Sequence, residues 1–154
     1  MILYGVQDHI NIYMKDAYTT LFYDAVTSTK QTHGYTLPEN IEVYLVALLA
    51  ENTDRPDFLP SRSFAESFLT ANTPRKKKEL ADTCLFVSGV FPYIGEKRGI
   101  NRSYYRDLGT TSYEMLSEHW HPELFLELAK HFDFFAQFIE VVFDNSGHKI
   151  INFR

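Results

Sequence analysis

Leu80-Ala81-Asp82-Thr83-Cys84-Leu85-Phe86-Val87-Ser88-Gly89-Val90-Phe91-Pro92 is the stretch on which the fold class turns. Leu80, Cys84, Val87 and Phe91 recur at the three- and four-residue spacing of one helix face. Thr73-Pro74 marks the start of that helix, because proline at the first helical position gives up an amide that would be unpaired anyway. Pro92 marks its end. Gly89 falls inside the helix, at a cost of about 1 kcal/mol relative to alanine. A glycine there implies close approach of another backbone or of a ligand.

The flanking sequence continues the helical pattern. Met14, Tyr18, Leu21, Phe22 and Ala25 predict a helix from about Tyr13 to His33, with Gly34 as its left-handed cap. Residues 1–12 read as an extended or irregular N-terminal arm. Thr36-Leu37-Pro38-Glu39 reads as a capping box. The helix that follows, Pro38 to about Glu51, is apolar on nearly all sides from Val43 to Ala50. Such a helix sits at the centre of a bundle or buries a second face in an oligomer. A buried strand is the alternative reading of Val43-Tyr44-Leu45-Val46.

Asn52 to Pro60 is a loop, and Ser63-Phe64-Ala65-Glu66 opens a short helix to about Ala71. Beyond Pro92, Tyr93 to Ile100 is a turn-rich connection with Gly95 and Gly99. Asn101 or Ser103 caps a helix carrying Tyr104, Tyr105, Leu108, Tyr113 and Leu116. His121-Pro122-Glu123 opens a last long helix whose apolar face is Leu124, Leu128, Phe132, Phe135, Ile139 and Val142. Residues 148–154 are a C-terminal tail. The expectation is an all-α chain: one domain over 1–154, a helical bundle of five to six helices.

Composition narrows the function. A 154-residue chain can bury roughly two-thirds of its unfolded surface and needs no staple. The formal net charge of −5 argues against nucleic-acid binding. One basic run, Arg75-Lys76-Lys77-Lys78, reads as a solvated helix face or as a contact for an anionic partner. Aromatic residues make up 16% of the chain. They point to a core rich in rings or to a surface that binds flat molecules. No apolar run is long enough to cross a membrane, and the N-terminus lacks the pattern of a signal peptide. With one cysteine, Cys84, no internal disulfide can form, and the expected location is cytoplasmic.

Phosphate-loop, dinucleotide, zincin, EF-hand and nucleophile-elbow motifs are absent from the sequence. Three weaker constellations remain. Ser88, Gly89, Arg98, Arg102, Tyr104, Tyr105 and Arg106 gather small residues, cations and phenols near a helix start, where an anion is favoured. They are candidate ligand-binding residues, against a reading in which Gly89 serves helix packing and the arginines pair with surface acids. His119 and His121 are weak metal candidates, with no further ligands at a diagnostic spacing. Glu127 and His131 lie four apart and read as a surface ion pair. No nucleophile–base pair, metal site or cofactor site can be named.

The runs Leu85-Phe86-Val87-Ser88-Gly89-Val90-Phe91-Pro92 and Tyr104-Tyr105-Arg106-Asp107-Leu108-Gly109-Thr110-Thr111-Ser112-Tyr113 resemble a family of small uncharacterised bacterial helical proteins. Leu128-Ala129-Lys130-His131-Phe132 and the run from Val43 to Glu51 look similar to other parts of that family. The resemblance implies an all-helical fold and carries no activity. The expected function is a non-enzymatic, self-associating interaction module, homodimeric, with a further protein as a possible partner. The alternative is a binder of, or enzyme acting on, a small anion at the Gly89/Arg98/Arg102/Tyr105 region.

Overall fold

A computed structural model describes residues 2–53, 64–91 and 102–146. Every regular element among them is an α-helix: α1 Ile2–His33, α2 Glu39–Thr53, α3 Phe64–Thr70, α4 Pro74–Val90, α5 Arg102–Ser117, α6 Pro122–Lys130 and α7 Phe132–Ser146. The chain gathers into two compact units, Met1–Pro56 and Asp57–Arg154. The tail at 148–154 lies outside the described residues.

In the first unit, α1 begins at Ile2 rather than after an arm ending at residue 12. Nothing in that stretch stops a helix: it has no proline and only Gly5 as a weak breaker, and each added residue gains a backbone hydrogen bond. Gly34, at φ 72°, ends α1 as expected, its amide donating to the Lys30 carbonyl at 2.9 Å. The short link to α2 folds the two helices into a hairpin. Lys30 Nζ closes the turn on Glu42 Oε2 at 2.8 Å. Phe22, Val26 and Thr29 of α1 are buried, as are Ile41, Leu45, Leu48 and Leu49 of α2.

In the second unit, α4 is the central helix. Thr73 caps it by accepting from the Lys76 amide at 3.2 Å. From Leu80 to Val90 every residue is buried, on all faces. Helix α5 runs antiparallel along one flank, with Tyr113 opposite Asp82 and Gly109 opposite Cys84. Helix α7 covers another flank.

Pro122 opens a helix, but a single helix from there to residue 145 is not what forms. The chain breaks at His131, whose backbone leaves the helical region at φ −114°, ψ 31°. Helix α6 lies against α5 and α7 against α4, so the break carries the chain from one flank of the bundle to the other. That division gives seven helices among the described residues instead of five to six. Most of the expected apolar face survives it: Leu128, Phe132, Phe135, Ile139 and Val142 are buried, and Leu124 is half-buried.

Much of the aromatic excess is core. Tyr113 stacks on Phe125 with centroids 6.0 Å apart, and Phe86 meets Phe91 and Phe143 edge-on.

Candidate functional site

The Gly89 region is a packing joint. A Cβ at Gly89 would stand 2.5 Å from Ile139 Cγ2 and 2.9 Å from the Ala136 carbonyl oxygen. The missing side chain is thus filled by α7, and no ligand has room there. Ser88 is buried beside it. Gly109 does the same for α5: a Cβ there would meet the Phe132 ring at 2.6 Å and Cys84 Cβ at 3.0 Å.

The other candidates divide between roles. Tyr105 is buried, its ring edge-on to Tyr104 at 5.4 Å. The Tyr104 hydroxyl accepts from the Ala65 amide at 2.8 Å, satisfying a donor in the first turn of α3. Arg106 is exposed and lies 3.3 Å from Asp107 Oδ1 and 3.5 Å from Asp133 Oδ2. Arg102 is the first residue of α5. Its side chain, and Arg98 entirely, lie outside the described residues. The described members therefore do not converge on one ligand-sized space.

Asp82 is buried and held from two sides. It accepts from the Tyr113 hydroxyl at 2.7 Å and from Lys78 Nζ at 2.9 Å. Burial, and then the charge of Asp82, push the Cys84 thiol far above its ordinary range. A thiol held protonated inside a core is not a nucleophile. His119 and His121 are both exposed. Among the described residues, no group of three or more His, Cys, Asp or Glu could hold a metal ion. Glu127 and His131 stand 3.6 Å apart on the surface.

The described residues also line two surface depressions. One, of about 540 Å³, lies in the second unit between α5 and the α6–α7 break, lined by Arg106, Thr110, Thr111, Lys130, His131 and Asp133. Its two cations, Arg106 and Lys130, share the cleft with Asp107 and Asp133, so it presents an anion with no net positive charge.

The other, of about 470 Å³, is a groove along the α1–α2 hairpin of the first unit. Tyr23, Val43, Val46, Ala47 and Ala50 form its apolar surface, and Glu39, Glu42 and Glu51 stand around it. Val43 is 63% exposed and Tyr23 57%. Glu42 is engaged by Lys30, whereas Glu39 and Glu51 are exposed. Those two are twelve positions apart on one helix, hence about 18 Å apart along its axis.

The Val43–Ala50 run announced this surface, since it is more apolar than one buried face requires. Tyr23 was missed because it lies off the α1 stripe and gives no periodic signal. No family model matches the chain, and neither a curated protein nor a solved structure matches it.

Proposed function

We propose that the protein is a non-enzymatic helical interaction module that associates with itself, and that the α1–α2 groove is the contact surface. The observation that carries this reading is the pair of large side chains, Val43 and Tyr23, left more than half exposed on an apolar groove. Contiguous apolar surface is costly in water, at about 25 cal/mol per Å², and commonly marks a contact site. The sequence offered two fates for an all-round apolar α2, the centre of a bundle or a second face for an oligomer. The exposure of Val43 and Ala47 supports the second.

The anion-binding reading has less support. The space at Gly89 is filled by Ile139, Ser88 is buried beside it, and exposed Arg106 has Asp107 and Asp133 as neighbours. The buried Cys84 thiol fits a reducing, cytoplasmic location.

Light scattering across a concentration series tests the reading. The molar mass is expected to rise from about 18.0 kDa toward twice that value at tens of micromolar, the range of a modest interface. A mass fixed at the monomer value into the hundreds of micromolar sinks the proposal.

A further inference from the structure

The groove is acidic, and this chain carries a basic, apolar projection suited to it. Residues 1–56 hold seven acidic side chains against three basic ones. Two copies meeting groove to groove, with their α2 helices antiparallel, would set Glu39 of each against Glu51 of its partner, an arrangement that like charges oppose. The groove instead calls for an apolar side chain flanked by cations.

The corner where α3 meets α4 carries an exposed apolar side chain and two exposed cations. Leu69 is 81% exposed, the most exposed large apolar side chain among the described residues. Arg75 and Lys76, in the first turn of α4, are exposed a few residues on. Arg75 has only a loose surface pairing with Glu79 at 3.4 Å, a contact of little energetic weight. The other lysines of the run are committed. Lys78 holds Asp82, and Lys77 donates to the Ala71 carbonyl at 2.7 Å while lying over the Phe68 ring. The Lys77 contacts tie α4 to the end of α3 at the corner.

We infer that the occupant of the groove is the α3–α4 corner of a second copy of this chain, with Leu69 against Val43 and Tyr23 and with the positive charge of Arg75 and Lys76 set in the acidic field of Glu39 and Glu51. This rests on the self-association proposed above and names the surfaces that meet. It also gives the basic run a role as the contact for an anionic partner. Reciprocal exchange closes a two-fold dimer, while one-way docking builds an open chain.

Charge reversal tests the pairing. One variant carries Glu39→Lys and Glu51→Lys, a second carries Arg75→Glu and Lys76→Glu, and circular dichroism confirms that each folds. Each variant alone is expected to lose association at least tenfold, since groove and corner then share a sign. An equimolar mixture is expected to recover it, because each groove again meets a corner of opposite charge. A Leu69→Ser variant is expected to weaken association without any charge change. If the wild type associates but both reversed variants do so equally well, or if the mixture fails to recover, the corner is not the occupant while self-association stands. If the wild type never associates, both readings fall.

Discussion

The Tyr113 hydroxyl donates to Asp82 Oδ1 across 2.7 Å, joining α5 to α4 inside the second unit. Asp82 is almost fully buried, so a neighbour that leaves would strand part of a carboxylate away from water. Tyr113→Phe removes that donor and nothing else of size. A hydrogen bond to a buried charged group is worth about 1.5–3 kcal/mol. Urea unfolding is expected to show a loss in that range with an unchanged m-value. A loss under about 0.5 kcal/mol, the range of ordinary surface substitutions, would show that the bond does not anchor α5.

Gly89→Ala should destabilise although alanine is the better helix former. The propensity gain is about 1 kcal/mol. Against it stand Ile139, which is fully buried, and a backbone oxygen at 2.9 Å that cannot turn aside. Overpacking of this kind costs about 1–3 kcal/mol. A lower melting temperature is the expected result, and one equal to or above that of the wild type would contradict the packing account. Gly109→Ala meets the Phe132 ring, so pairing it with Phe132→Leu should recover part of the loss.

Cys84 makes a prediction about pH. Its folded-state pKa is raised above the ordinary 9.0, by burial first and by Asp82 second. The native state keeps a proton that the unfolded chain releases. The stability this contributes is complete below about pH 9 and is lost above it at about 1.4 kcal/mol per pH unit. Urea midpoints of the wild type should fall faster between pH 9 and 10.5 than those of Cys84→Ala. Parallel slopes would show that the thiol is not held protonated. Iodoacetamide at pH 8 should leave the native thiol unmodified and label it in denaturant.

The second unit was legible where the code is local. Thr73-Pro74, the Leu80–Phe91 stripe and His121-Pro122 each carry a capping or periodic signal that survives in the structure. Three things were not legible. The break at His131 involves neither glycine nor proline and follows from α6 and α7 packing on different helices, a tertiary cause. The start of α1 at Ile2 rests on propagation from a downstream helix, which periodicity within 1–12 does not report. The role of Gly89 was ambiguous between ligand and packing until Ile139, fifty residues away in sequence, was seen to fill the space. The exposed face of α2 was half visible: the excess of apolar residues was plain, but which of them would stay uncovered depended on the hairpin with α1.

Sedimentation equilibrium of the wild type beside Val43→Glu tests the central claim most directly. Val43 is exposed, so a glutamate there should leave the fold intact while placing a charge in the apolar groove. Leu126→Glu, at another exposed apolar site, serves as the control. The account predicts concentration-dependent association of the wild type and of Leu126→Glu, and a monomer for Val43→Glu. Association of Val43→Glu equal to that of the wild type would contradict it.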